Sequence, residues 1–346
     1  MIKATFAIPG DITTPTGGYA YDRQILRRIS DRGVVLRHLI LPDGFPFPSP
    51  GDLDTTARLL EDLDGTLLID GLAFGALPAD ILSQIKARIV ALVHHPLALE
   101  TGLGADDAER LRILEREALK AASAIIVTSE TTAAILASDY DVPKEKIAVA
   151  IPGTMRAQRA AGSGTGHAIL AVGSVIPRKG YDVLVEALTR LGDQPWSLTI
   201  VGALDRAPDC VRSLRAQIDE AGLSNRIRFT GALPSHALPS LYDKADIFVL
   251  ASHFEGYGMV LTEALAHGLP IISTTGGAAA TTLPDTAALK VPAGDPLALA
   301  EVLASLLGDG KRRSALADAA FSHARSLPDW SETAAIVAAQ LRHDTR

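Results

Sequence analysis

AILAVGSVIPRKGYDVLVEAL, residues 168–188, sets the architecture. A short apolar run passes through a glycine-bearing loop into a helical segment, and the loop carries two adjacent cations, Arg178 and Lys179. The same order recurs on both sides. Downstream, SLTIVGAL, RIRFTGAL, DIFVLAS, GLPIISTT and AALKV are short strand candidates, with helices around APDCVRSLRAQIDEAG, LPSLYDKA and GMVLTEALAHG between them. Upstream, KATFAIPG, VVLRHLILP, LLIDGLAFG, RIVALVHHP, SAIIVTS and KIAVAIPG are separated by segments such as YAYDRQILRRISDRG, DLDTTARLLEDLD and DDAERLRILEREALKAA. Short buried strands alternating with helices predict a doubly wound parallel α/β sheet, here twice over.

Between the two series, PGTMRAQRAAGSGTG (152–166) is small, polar and aperiodic, as an inter-domain linker would be. The expected division is 1–160 as a first domain, 161–328 as a second, and a last amphipathic helix at 329–346 that crosses back to the first. GSGTG inside the linker precedes a strand instead of following one, the wrong order for a dinucleotide fingerprint.

A chain of 346 residues, 47% hydrophobic and 21% charged, is long enough for two packed domains with a cleft between them. Cys210 is the one cysteine, so neither a disulfide within the chain nor a cysteine-built metal site is available, and a cytoplasmic location is expected. The opening MIKATFAIPG fits a buried first strand better than a signal peptide. No apolar run nears the roughly 18 residues of a membrane span. A net charge of −7 argues against a nucleic-acid partner. Arg23, Arg27, Arg28, Arg32 and Arg37 still cluster beside an apolar stripe of Ile25, Leu26 and Ile29, which fits a solvated helix face first and a membrane contact second.

In a doubly wound sheet, ligands gather beyond the carboxyl ends of the strands, where helix N-termini point free amides into the crevice. Arg178 and Lys179 fall there, and two cations beside open backbone amides make a diphosphate site. FEGYGMVLTE (254–263) falls there too, just after DIFVLAS. Gly256 and Gly258 let the backbone approach a ligand, and the helix starting near Gly258 offers its first amides to a phosphate. Glu255 stands in the loop before that helix; Glu263 lies about 7 Å down its axis, at about 1.5 Å per residue. Carboxylates so placed suit the hydroxyls of two sugars on either side of a diphosphate, whereas a hydrolase pair would face one bond. The two DLD segments, 52–54 and 62–64, read as the start and end of one helix, so capping and solvation explain them without a metal.

EGYGMVLTE resembles the E-x7-E motif of retaining glycosyltransferases of family 4, which have the GT-B architecture of two Rossmann-like domains. VGSVIPRKGYDVLVEAL is similar to that family's Arg-Lys donor segment, IRFTGALPSHALPSLYDKADIFVLAS to its run into the motif, and HGLPIISTTGG to the family's segment just past the motif, so the likeness covers most of residues 168–300. The N-terminal likeness is looser: a Gly-Gly loop and a strand ending in histidine. The resemblance implies that Arg178 and Lys179 hold the donor diphosphate, Glu263 grips the ribose hydroxyls, and Glu255 those of the transferred sugar. Tyr257 and Gly258 would line the sugar pocket, Met259 and Val260 would offer backbone amides to phosphate, and the segment from Thr230 to Leu233 would pass the nucleobase. Gly17 and Gly18, in the loop after the first strand, would close over the phosphates. His94 matches the family's histidine near the donor sugar, with His95 as the adjacent candidate because successive strand residues face opposite ways. Catalytic duties would thus fall to His94, Arg178, Lys179 and Glu255, with no cofactor and no metal.

The implied reaction moves a hexose from a nucleotide diphosphate sugar, UDP ahead of GDP, to an acceptor with retention at the anomeric carbon. The leaving phosphate would itself help deprotonate the acceptor. LPDGFPFPSPGD (41–52) is expected to expose Phe45 and Phe47 beside the basic helix at 19–32, so a membrane lipid acceptor, a glycolipid product and a place at the inner membrane face are preferred to a soluble saccharide or small molecule. A GT-B sugar-nucleotide epimerase and a non-catalytic nucleotide-sugar binder are the rival classes.

Overall fold

The computed structural model describes residues 2–342. They form two compact units, one of the residues up to Gly153 together with those from Pro328 onward, the other Thr154–Leu327. In the first, strands β1 (Ile2–Pro9), β2 (Val34–Leu41), β3 (Thr66–Asp70), β4 (Arg88–Val93), β5 (Ala124–Val127) and β6 (Ile147–Val149) make one parallel sheet in the order β2-β1-β3-β4-β5-β6. In the second, β7 (Ala168–Val172), β8 (Ser197–Val201), β9 (Ile227–Phe229), β10 (Ile247–Leu250), β11 (Ile271–Thr274) and β12 (Ala288–Val291) are parallel in the order β12-β11-β10-β7-β8-β9.

Helices on both faces explain why the strand segments are apolar throughout: β5, β10 and β11 are buried at every position. In β7, Ile169 and Ala171 join a core cluster with Leu184, Leu188 and Leu303, while Leu170 and Val172 join the opposite one with Phe248, Leu261 and Leu265. Strand order reverses between β1 and β3 in one unit and between β7 and β10 in the other, and ligands of such sheets bind beyond the carboxyl ends of the strands at the reversal. β7 and β10 pair with Ile169 opposite Ile247, a register that brings out side by side the loops after Val172 and Leu250.

The C-terminal helix Trp330–Arg342 packs in the first unit: Trp330 lies edge-on to Tyr21, the Thr333 hydroxyl donates to the Ile151 carbonyl at 2.7 Å, and the Arg88 guanidinium donates to the Gln340 carbonyl at 2.9 Å. Residues 154–166 are pinned to the second unit. The Ala160 amide donates to the His267 carbonyl and the Gly162 amide to the Asp243 carbonyl, both at 2.8 Å, and Asp246 accepts from the amides of Ser163 and Ala168.

Three expectations for the first unit change. Gly17 and Gly18 open the helix Gly17–Arg28 instead of lying in a loop, because the Thr16 hydroxyl caps it by accepting from the Tyr19 amide at 3.1 Å. Phe45 is 6% exposed and belongs to the core, leaving Phe47, 45% exposed, as the single aromatic tip. Part of the arginine cluster is engaged by its own unit: Arg23 donates to the carbonyls of Ile12 and Thr14 and Arg32 to Ser331, while Arg28 bonds Gln24 one turn earlier on the same helix and Arg27 stays exposed. The capping role expected near residue 52 is met by reciprocal bonds between Ser49 and Asp52 at the start of the helix Pro50–Leu60. Among the described residues no helix is long and apolar enough to cross a membrane.

Candidate functional site

In the second unit the loops after β7 and β10 meet through a glycine. Pro177–Lys179 makes one tight turn and ends at Gly180, left-handed with φ +60°, from which the helix Tyr181–Thr189 departs. A β-carbon at 180 would stand 2.2 Å from the Ala251 carbonyl oxygen, so only glycine lets the turn close on the end of β10. The His253 amide, donating to the Arg178 carbonyl at 2.8 Å, locks the same contact. Lys179 Nζ then lies 2.6 Å from Glu255 Oε1, while the Arg178 guanidinium is 3.5 Å from Glu255 Oε2 and donates to the Phe254 carbonyl at 2.8 Å. The Ser252 hydroxyl donates to Glu255 Oε1 at 2.5 Å. From the other side the Glu255 amide donates to the Gly276 carbonyl, and the Ala278 amide to the Glu255 carbonyl.

Glu255 is 5% exposed. Burial alone would raise its carboxyl, but Lys179 and Arg178 overcome this and hold it below the ordinary value. A lone charge at this depth is costly, so the carboxylate is held between the two cations, a group that keeps one net positive charge. The sequence suggested all three residues without suggesting that they touch.

Glu263 sits in the helix Met259–Ala266, which starts from Gly258 at φ +86° and has no side-chain cap, leaving its first amides for a ligand. Its Oε2 accepts from the Tyr242 hydroxyl at 2.8 Å, and Tyr242 stacks on His267 with ring centroids 4.9 Å apart. Burial raises the Glu263 carboxyl and the Tyr242 bond opposes the rise. Tyr257 is buried, its carbonyl accepting from the Thr282 hydroxyl at 2.9 Å, and a β-carbon at Gly258 would lie 3.8 Å from the Glu255 side chain. Met259 and Val260 are the first two residues of that helix. Thr230 follows β9, its amide donating to the Ile200 carbonyl of β8 at 3.0 Å, and Leu233 packs against the core below.

The first unit gathers a second group just past its own strand ends. His94 follows β4, with Nε2 3.3 Å from Asp22 Oδ1 and 3.5 Å from Asp70 Oδ2. Asp70 ends β3 and its other oxygen accepts from the Leu72 amide at 2.7 Å. A β-carbon at Gly18 would meet the His94 ring at 3.1 Å, so the absence of a side chain there leaves room for the imidazole. Burial would lower the His94 imidazole, but Asp22 and Asp70 outweigh it and push it up to about 10. Burial raises Asp22, with His94 opposing. Of the two adjacent histidines it is His94 that joins this cluster; His95 lies 3.3 Å from Glu100. Asp22 and Asp70 are additions to the sequence reading. Asp70 had a signal, since it ends the run LLID as His94 follows RIVALV; Asp22 faces His94 from the helix that Gly18 opens, a placement not evident from a helix read as starting at Tyr19.

Residues 157–323 match the family described as glycosyl transferases group 1, a span that includes Arg178, Lys179, Glu255 and Glu263. The D-inositol 3-phosphate glycosyltransferase of Corynebacterium urealyticum is 32% identical over 250 residues, 65% of this chain and 58% of that protein. The chain therefore spans less than two thirds of the length of this relative. Among solved structures, sucrose-phosphate synthase from Thermosynechococcus elongatus superposes with a TM-score of 0.82 over 96% of each chain at 19% identity. Anabaena HepE in complex with UDP-glucose gives 0.79 over 98% of each chain, also at 19%. At that identity the two structures speak for the fold, which is GT-B: two Rossmann-like, doubly wound parallel sheets.

Proposed function

We propose that the chain, whose residues 157–323 match the group 1 glycosyl transferases, moves a sugar from a nucleotide diphosphate sugar to an acceptor hydroxyl with retention at the anomeric carbon. The observation that carries this reading is the Lys179–Glu255–Arg178 group at the strand reversal of the second sheet. The carboxylate engages both cations. An incoming diphosphate competes for Lys179 and Arg178 and releases Glu255 to accept from hydroxyls of the transferred sugar. Negative charge then grows on the leaving diphosphate as the glycosidic bond breaks, so cations fixed beside it stabilise the transition state more than the ground state. Glu263, already held by Tyr242, keeps its second oxygen for the ribose hydroxyls. Thr230 to Leu233 form the part that passes the base.

UDP is the preferred nucleotide, supported by the UDP-glucose bound to Anabaena HepE. For the acceptor, a soluble polyol or sugar carrying a phosphate is preferred to a membrane lipid. The similar D-inositol 3-phosphate glycosyltransferase is named for such a compound, and burial of Phe45 and the bonds of Arg23 to Ile12 and Thr14 and of Arg32 to Ser331 weaken the membrane-facing surface.

A thermal-shift panel of UDP, UDP-sugars and GDP-sugars tests the donor. Ligand at a hundredfold excess over Kd stabilises the folded chain by about 2.7 kcal/mol. UDP-sugars are expected to raise the melting temperature more than GDP-sugars; a panel without any shift contradicts the proposal.

A further inference from the structure

The first unit buries more charge than its packing requires. Asp22 is fully buried, and neither of its carboxylate oxygens meets a hydrogen-bond donor apart from the nearby His94. Asp70 is 2% exposed and directs its free oxygen at the same imidazole nitrogen. Nε2 is therefore a buried atom facing two carboxylates, while 20% of the His94 side chain stays exposed and Nδ1 makes no hydrogen bond among the described residues. The ring is clamped on its remaining sides: Tyr21 meets it edge-on at 5.3 Å, Gly18 lies against Cδ2, and the Thr128 hydroxyl holds the His94 backbone carbonyl at 3.1 Å.

We infer that Asp22 and Asp70 are positioning residues, which fix His94 as an imidazolium with Nε2–H turned onto the carboxylates and Nδ1–H turned outward to donate to an oxygen of the bound substrate. The charge decides the chemistry. A neutral ring with its proton on Nε2 offers Nδ1 only as an acceptor, and the second proton converts that nitrogen into a donor. The groups facing the ring are Asp22 and Tyr21 from the helix Gly17–Arg28 and Asp70 from β3; Tyr21 is kept neutral by burial, and His95 is turned to Glu100. With the imidazole held up to about 10, the donor persists through neutral pH and is lost as pH rises through that value. The substrate half of the inference rests on the glycosyl-transfer reading; the charge state does not.

The test follows the imidazole nitrogens of the full-length, 15N-labelled chain without substrate from about pH 6 to about pH 10, with His94 assigned from the signal missing in His94→Gln. Wild-type His94 is expected to stay doubly protonated over most of that range. In Asp22→Asn, and in Asp70→Asn should the first variant fold poorly, its midpoint should fall toward the ordinary imidazole value of about 6.5. The alkaline limb of kcat/KM should move to lower pH in the same variants, a shift that mere loosening of the fold would not give. Titration of wild-type His94 near the ordinary value, or a midpoint unmoved in both variants, overturns the inference. So does Mn2+ broadening of the His94 signals that disappears in Asp22→Asn, because the three ligand-type atoms lie within 4.8 Å of one another and the cluster would then be a cation site. A chain that turns over no nucleotide sugar contradicts the proposed function and leaves the spectra to decide the charge state.

Discussion

Lys179→Ala is expected to lower kcat/KM by about a thousandfold, the scale of removing a charge aimed at a developing anion, and to destabilise the second unit as well. Both effects come from one contact. Lys179 pairs with Glu255 at 2.6 Å in a buried position, and its removal leaves the carboxylate with Arg178 at 3.5 Å and the Ser252 hydroxyl. Breaking a buried pair on one side costs about 3–5 kcal/mol when no other cation is near, and Arg178 should reduce that to about 2 kcal/mol. The double variant Lys179→Ala/Glu255→Gln separates the two consequences, since it removes the orphaned charge without restoring the cation. It should recover stability in a denaturant titration and remain inactive. Near-normal turnover by Lys179→Ala rules out the phosphate role.

Gly180→Ala carries the other large effect. At φ +60° an L-residue pays about 1 kcal/mol of backbone strain, and a β-carbon 2.2 Å from the Ala251 carbonyl oxygen adds about 1–3 kcal/mol of forced displacement. The displaced segment is the turn that places Arg178 and Lys179 on Glu255, so activity should fall by about a hundredfold even in the fraction that folds. Gly192 supplies the control: its φ is +56° and nothing lies within 4 Å of its would-be β-carbon, so Gly192→Ala should cost only the strain. Equal melting temperatures and activities for the two variants would show that the close approach at Ala251 is unimportant.

The alternation around residues 168–188 was legible because parallel strands covered on both faces leave continuous apolar runs, and the donor residues were legible because they sit directly after such runs. What stayed hidden depended on strand order. Lys179 and Glu255 are 76 residues apart and touch because β10 pairs with β7, which no local pattern states. Asp22, Asp70 and His94 come from three elements for the same reason. The helix start at Gly17 was obscured because paired glycines are poor helix formers, and the Thr16 cap offsets that only in context. Phe45 and Phe47 are indistinguishable in a proline-rich loop, yet one fills the core and the other is solvated. The helices Pro296–Gly308 and Gly310–His323 went unassigned, as they carry no motif that bears on the site.

Glycosyl transfer with retention is open to one decisive assay: nucleotide release from an α-configured UDP-sugar, measured with and without a phosphorylated polyol acceptor, with NMR of the product's anomeric proton. Acceptor-dependent UDP release and an α-linked product are expected; a β-linked product, or release at the same rate without acceptor, would contradict the proposed reaction.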